Sequence, residues 1–176
     1  MAEPGSYNWW RANYKTDDDF RKVAKVLTVA GVDCTEVDVD HFPPNSAYTG
    51  TQYENMLNYG ARPAFPLPKV LHRFAKGDGG MGGHVSTTGN TAVSQGWTPM
   101  LREAMSAGNF YEAMKKDVID KQNVALSAGA TKNFAPHNRR LFNLLMMPAV
   151  DLALRKGMIT QSQYYDLRLN YLSCPL

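Results

Sequence analysis

The sequence predicts an α+β fold that is mainly α-helical and contains a small two-stranded element. Two observations predict this class. Most apolar residues recur at helical spacing between capping residues, and patterns typical of strands are confined to residues 37–41 and 69–74. With 176 residues, 44% of them hydrophobic, the chain is long enough to bury one core. We therefore expect a single domain spanning residues 1–176.

Three parts are expected within this domain. Residues 1–36 form an N-terminal arm and a helix, residues 37–107 hold the two strands with a Pro/Gly-rich insertion, and residues 108–176 form a helical C-terminal part. No apolar run approaches the roughly 20 residues of a membrane span, and the N-terminus lacks the features of a signal peptide, so we expect no membrane partner. The net charge of +3 is compatible with a polyanionic partner without requiring one.

Helix signals in the first part of the chain are local. Residues 1–15 are rich in aromatic side chains without periodicity, and they are predicted to form an irregular arm. A helix follows, with Thr16 as its N-cap and Gly31 just after its end. Between the strand regions, residues 51–59 predict a short helix, and residues 100–107 predict another.

Four further helix boundaries follow from capping residues in the C-terminal part. Asn109 is predicted to cap a long helix. Pro136 opens an apolar helical segment that Pro148 divides. Thr160 with Gln163 three residues later is a capping-box pattern for the last helix.

The first strand carries the most informative pair of residues. Val-Asp-Val-Asp-His alternates apolar and polar residues over 37–41 and is stopped by Pro43 and Pro44. Asp40 and His41 are adjacent, so their side chains point to opposite faces of a regular strand. Because Phe42-Pro43-Pro44 breaks the pairing, we expect both side chains to reach one site at the strand end.

The connection to the second strand is unusual in composition. Residues 62–68 contain three prolines, which predicts an extended connector that is not a strand. Residues 69–74 are predicted to form the second strand. Residues 77–83 contain five glycines in seven positions and predict a flexible loop that leads to His84.

Three of the four histidines, His41, His72 and His84, lie in or beside the predicted strands. A single histidine is more often structural than catalytic. An aspartate beside a histidine at a strand end can, however, hold a divalent cation while the imidazole takes a proton from water, as metal-assisted phosphodiester hydrolysis requires. Mg²⁺ prefers oxygen ligands, whereas zinc or nickel also accepts a histidine such as His84. No GxSxG or phosphate-loop motif is present.

Two motifs carry a resemblance to a known family. Asp-His-Phe-Pro-Pro-Asn-Ser-Ala-Tyr at 40–48, and His-Val-Ser-Thr-Thr-Gly-Asn at 84–90 before a helix, resemble the HNH/endonuclease VII-fold nuclease domains of bacterial polymorphic toxins. The resemblance covers about residues 37–120. It implies a small ββα-metal (His-Me finger) core with a two-stranded hairpin, surrounded by N-terminal and C-terminal helices.

The resemblance also implies roles for individual residues. His41 would be the general base, Asp40 a metal ligand, and His84 a second ligand or catalytic partner. Asn90 would orient His41 or complete the metal shell. The 42 residues between His41 and His84 depart from compact members of the group, which leaves open whether His72, His84 or Asn90 faces the metal.

The function implied is that of a metal-dependent endonuclease acting on DNA, with Mg²⁺ as the first choice of metal and Zn²⁺, Mn²⁺ or Ni²⁺ as alternatives. We expect substrate contacts from Arg73, Lys76, Thr87 and Thr88. Domains of this kind are antibacterial toxins that a specialised system secretes without a signal peptide. They act in the target-cell cytoplasm and are neutralised by a cognate immunity protein.

Two alternatives remain open at this point. In the first, the chain is a non-catalytic helical interaction module in which Asp40 and His41 only cap a strand, and Met146-Met147 lies in a partner surface. In the second, it is a ribonuclease toxin that uses His41 and His84 without metal. Assays of cleavage with and without EDTA separate these hypotheses.

Overall fold

A computed structural model describes residues 1–72, 92–127 and 136–173. The fold is α+β and mainly helical, with one two-stranded antiparallel sheet, which confirms the predicted class. No helix in these ranges is both long and apolar enough to cross a membrane. The elements are α1 (Tyr7–Asn13), α2 (Asp18–Val29), β1 (Val37–His41), β2 (Ala64–Pro68), α3 (Lys69–His72), α4 (Ala92–Ser106), α5 (Phe110–Ser127), α6 (Pro136–Leu144), α7 (Met147–Arg155) and α8 (Gln161–Asp166).

The N-terminal arm contains a helix, so the prediction of an irregular segment over residues 1–15 is wrong. Ser6 caps α1, because its Oγ accepts a hydrogen bond from the Trp9 backbone N–H at 3.3 Å. A helix of seven residues is too short to show a clear apolar period, although Trp10 is buried. The next helix, α2, begins one residue later than predicted, with Asp17 as its N-cap.

The second strand lies in the proline-rich segment, so the predicted connector is β2 and the predicted strand over 69–74 begins as helix α3. Strand β2 pairs with β1 in a register that sets His41 opposite Ala64. The backbone N–H of Ala64 points away from β1 and donates to the Gly5 carbonyl at 2.9 Å. Pro66 and Pro68 follow at two-residue intervals, so their missing N–H groups would also have pointed away from β1. The ladder therefore loses nothing to these prolines.

Turns replace the predicted helix over residues 51–59. The buried Arg62 side chain orders this connection by donating to the carbonyls of Glu54 at 3.0 Å and Leu57 at 3.2 Å, and to Oδ1 of Asn45 at 2.5 Å. Its guanidinium also lies 4.4 Å from the centre of the Tyr48 ring. The connection thus has a defined shape without a regular helix, because one planar side chain satisfies several of its acceptors.

The C-terminal helices begin where their capping residues predict. Oδ1 of Asn109 accepts a first-turn backbone N–H of α5 at 3.1 Å. Pro148 lies in the first turn of α7, and Thr160 and Gln163 form the predicted capping box of α8. Helix α4, which precedes these helices, was predicted over residues 100–107 but begins at residue 92 and contains Pro99 internally.

The core lies between the sheet and the helices. β2 is buried along its whole length and contacts α1 and α7. From the other side, α5 presents a fully buried apolar stripe that includes Phe110, Met114 and Val118. Asp117 and Lys121 lie on the same stripe and are also fully buried. Through Lys121, this buried charge contacts Asp40 on β1.

Candidate functional site: the two faces of strand β1

Strand β1 ends at His41, as predicted, but its regular pairing continues through that residue. Asp38 and Asp40 therefore lie on one face of the strand, and His41 lies on the other. The Phe42–Pro43 peptide bond, which is cis, comes after this point. The expected convergence of Asp40 and His41 through a break in pairing does not occur within the strand.

The face that carries the two aspartates is a buried network of charges, which we call the carboxylate face. Nζ of Lys121 lies 2.6 Å from Oδ2 of Asp40. His72 lies between the two aspartates, with Nε2 3.3 Å from Oδ1 of Asp40 and Nδ1 2.8 Å from Oδ2 of Asp38. The network joins β1 to α3 through His72 and to α5 through Lys121. The ion pairs His72–Asp38 and Lys121–Asp40 thus connect residues that are 34 and 81 positions apart in the sequence.

Lys121 is charged although it is fully buried. Burial opposes the ammonium form, but the carboxylates of Asp117, Asp40 and Asp120 outweigh it and raise the pKa of Lys121 above its usual value. Asp117 lies one turn before Lys121, with Oδ1 3.8 Å from Nζ. The inner stripe of α5 therefore supplies a cation and an adjoining carboxylate to the carboxylate face.

The surroundings of His72 also favour its charged form. Burial works against the imidazolium, but attraction and hydrogen bonding by Asp40, together with a hydrogen bond to Asp38, outweigh that cost and raise the pKa of His72. Both ring nitrogens face carboxylate oxygens, which only accept hydrogen bonds when ionised. The protonated ring, which donates from both nitrogens, matches these partners best.

His41 lies on the opposite face, among aromatic rings, in what we call the aromatic face. Only 4% of the residue is exposed. Its ring stacks on Tyr7, with centroids 4.5 Å apart and planes within 4°, and meets the edge of Tyr59 at 4.4 Å. Burial, and a hydrogen bond with Tyr7, raise the pKa of Tyr59 to about 12, so the phenol stays neutral near neutral pH.

One hydrogen bond determines which ring nitrogen of His41 carries the proton. Nε2 lies 3.0 Å from the backbone carbonyl oxygen of Tyr59. A carbonyl only accepts hydrogen bonds, so Nε2 carries the proton and Nδ1 holds the lone pair of the neutral ring. Burial lowers the pKa of His41, against the opposing effects of the Tyr59 carbonyl and Asp40. His41 is therefore a neutral imidazole whose Nδ1 can accept a proton.

Most of the other predicted site residues lie outside the described residues: His84, Asn90, Arg73, Lys76, Thr87 and Thr88. The same is true of the glycine-rich segment 77–83. Within the described ranges, no group of three or more His, Cys, Asp or Glu side chains is arranged to hold a metal ion. The metal ligands assigned to Asp40, His84 and Asn90 remain predictions.

Sequence reasoning missed the residues that build the two faces around the histidines. Asp117 lies four residues after the buried Ala113, and Lys121 lies seven residues after the buried Met114. Charged residues at positions of a buried apolar stripe were therefore the available signal. Tyr7 and the Tyr59 carbonyl had no such signal, since one acts through ring stacking and the other through the backbone.

Comparisons of the chain with protein-family models, with curated proteins and with solved structures found no match.

Proposed function

We propose that the chain is a metal-dependent endonuclease that hydrolyses phosphodiester bonds of DNA, with His41 as the general base and Asp40 as a metal ligand. The observation that carries the proposal is the hydrogen bond from Nε2 of His41 to the Tyr59 carbonyl. It orients the ring and leaves Nδ1 as the basic nitrogen. The lowered pKa keeps that nitrogen unprotonated near neutral pH, which a general base requires.

In this proposal each residue has a defined task. A water molecule beside Nδ1 gives its proton to His41 while its oxygen attacks the phosphorus, and the bond to the leaving oxygen breaks. The Tyr59 carbonyl stabilises the imidazolium that forms, because its oxygen accepts the Nε2–H bond more strongly from a charged ring. A divalent metal ion, when bound, would stabilise the charge that develops on the phosphate and the leaving oxygen.

The described residues fit a metal ion only in part. Asp40 supplies an oxygen donor, but it lies on the face opposite His41, and a protonated His72 has no lone pair with which to bind a metal ion. The charge of Asp40 is already balanced by Lys121 at 2.6 Å, which weakens its attraction for a further cation. His84 and Asn90, outside the described residues, would have to complete the ligand set.

The biological setting is part of the same proposal and is supported by the motif resemblance. The chain would be an antibacterial effector domain, carried to the target-cell cytoplasm by a specialised secretion system. A cognate immunity protein would neutralise it in the producing cell. DNA would be the cellular target.

One observation favours a second candidate function, a metal-independent ribonuclease toxin. The two faces shift the histidine pKa values in opposite directions, which is the arrangement expected of a base and an acid. His41 would take the proton of the ribose 2′-hydroxyl, whose oxygen attacks the adjacent phosphorus. His72 would give its proton to the departing 5′-oxygen, which leaves a 2′,3′-cyclic phosphate. The charge balance at Asp40 fits this scheme without a metal.

Cleavage assays with plasmid DNA and single-stranded RNA, each with Mg²⁺ or EDTA, test the proposal. We expect the protein to cleave DNA only with metal, and His41→Ala to lower the rate by on the order of 10²–10⁴ while remaining folded. EDTA-resistant cleavage of RNA to a cyclic phosphate would instead support the second candidate. Cleavage of neither substrate would contradict both and favour the non-catalytic interaction module.

A further inference from the structure

We propose that Tyr7 and Tyr59, with Arg11, form a stacking platform for an unpaired nucleobase beside His41. The inference rests on the proposed function and narrows its substrate to nucleic acid that is single-stranded where it is cut. We call these three residues the tyrosine platform. Tyr59 is an exposed aromatic residue in direct contact with His41.

Tyr59 contacts the buried His41 and is itself exposed at the protein surface. Its backbone carbonyl accepts the hydrogen bond from His41, and its ring lies 4.4 Å from the imidazole and 4.8 Å from the ring of Tyr7. Yet 51% of Tyr59 is exposed, whereas His41 is 4% exposed. Within the described part of the chain, the rings in contact with His41 are those of Tyr7 and Tyr59. A substrate that approaches past these rings meets Tyr59 first.

A positive charge adjoins the rings. Arg11, one turn after Tyr7 on α1, is exposed, and its guanidinium carbon lies 5.9 Å from the centre of the Tyr7 ring. A guanidinium in this place can pair with a phosphate while the neighbouring base stacks on an aromatic face. Aromatic rings beside a basic side chain are the arrangement by which proteins hold single strands without sequence preference.

The platform is held in position by direct contacts between its two elements. The backbone N–H of Tyr7 donates to the Arg62 carbonyl at 3.0 Å, which docks α1 on the connection that carries Tyr59. At Gly60, an added Cβ atom would lie 2.1 Å from Nδ2 of Asn8, so the backbone beside Tyr59 packs closely against α1. The rings are thus arranged before any substrate binds, which lowers the entropic cost of stacking.

Stacking on Tyr59 favours single-stranded over double-stranded nucleic acid. Every base has an aromatic face, but in a duplex both faces are covered by neighbouring base pairs. An unpaired base can leave its neighbours at a lower cost and place one face on the protein. The platform therefore predicts a preference for single-stranded over double-stranded substrate.

Fluorescence anisotropy with labelled DNA oligonucleotides in EDTA tests the inference, because neither proposed reaction cleaves DNA under that condition. Tyr59→Leu keeps an apolar side chain but removes the aromatic ring, whereas Tyr59→Phe keeps the ring. We expect Tyr59→Leu to weaken binding of the single strand by on the order of 5- to 100-fold, and Tyr59→Phe to bind like the unaltered protein. Tyr165→Leu on α8, where 41% of the tyrosine is exposed, is the matched control and should change nothing.

Each outcome is decisive. Wild-type affinity in a folded Tyr59→Leu protein, an equal loss in Tyr165→Leu, or a preference for the duplex would overturn the platform. If the unaltered protein cleaves nucleic acid and one of these results is found, the platform alone is wrong. If Tyr59→Leu loses binding but no substrate is ever cleaved, the platform stands and the endonuclease proposal fails.

Discussion

The two faces of β1 favour opposite protonation states of the histidine that each contacts. On the carboxylate face, Asp38 and Asp40 hold His72 as a cation, and Lys121 balances the remaining charge. On the aromatic face, His41 is packed between rings and bonded to a neutral carbonyl, which favours the uncharged form. A strand only five residues long thus separates two environments that favour opposite proton states of a histidine, because alternate side chains point to opposite faces.

The largest expected effect comes from breaking the carboxylate face at Lys121. Lys121→Met keeps most of the volume but removes a fully buried cation from Asp40 and Asp117. Taking one partner from a buried ion pair costs about 3–5 kcal/mol, since the remaining charges stay desolvated. Urea denaturation at neutral pH measures this loss.

Lys22→Met supplies the control for that substitution. Lys22 pairs with Asp19 at 3.5 Å on the surface of α2, where both side chains are more than half exposed. Its replacement should change the free energy of unfolding by less than about 0.5 kcal/mol. Similar small changes in both variants would mean that Lys121 does not hold the carboxylate face together.

A smaller effect, with opposite signs on the two faces, is expected in the pH dependence of stability. The unfolded chain takes up a proton on each histidine near pH 6.5, roughly. The pKa of folded His72 is raised, so its stabilisation is complete below that pH and is lost as the pH rises through its folded pKa. The pKa of folded His41 is lowered, so stability falls as the pH falls below about 6.5 toward its folded pKa.

Substitution by glutamine separates these contributions. Relative to the unaltered protein, His72→Gln should lose more stability at about pH 5.5 than at about pH 8. His41→Gln should make unfolding less sensitive to acid over the same range. Urea titrations of the three proteins at several pH values measure both slopes, and parallel curves for all three would show that the faces do not differ in this way.

Local signals in the sequence predicted the parts of the fold that depend on neighbouring residues. Gly31 adopts a positive φ of 89° just after α2, and Thr160 and Gln163 cap α8, because these features need only a few consecutive residues. The strand end at His41 was predictable for the same reason. Because Pro43 and Pro44 are consecutive, one of them would lack an N–H group on the side of the partner strand.

The rest required knowledge of distant partners. Proline-rich residues 64–68 pair as β2 because the missing N–H groups face away from β1, which depends on the register and not on composition. The sequence predicts a strand at His72, but this residue lies on α3 and contacts Asp40. Among the described residues, Asp40 and His72 are in contact on one face of β1, and His41 lies on the other face.

Strand β1 favours a neutral His41, with its proton on Nε2, and a charged His72. Nuclear magnetic resonance titration of the imidazole nitrogens in the ¹⁵N-labelled protein measures both states directly, with His41→Gln and His72→Gln to assign the signals. We predict that His41 titrates below the ordinary histidine pKa and is protonated at Nε2 when neutral, and that His72 titrates above it. A proton on Nδ1 of neutral His41, or a His41 pKa at or above that of His72, would contradict the account.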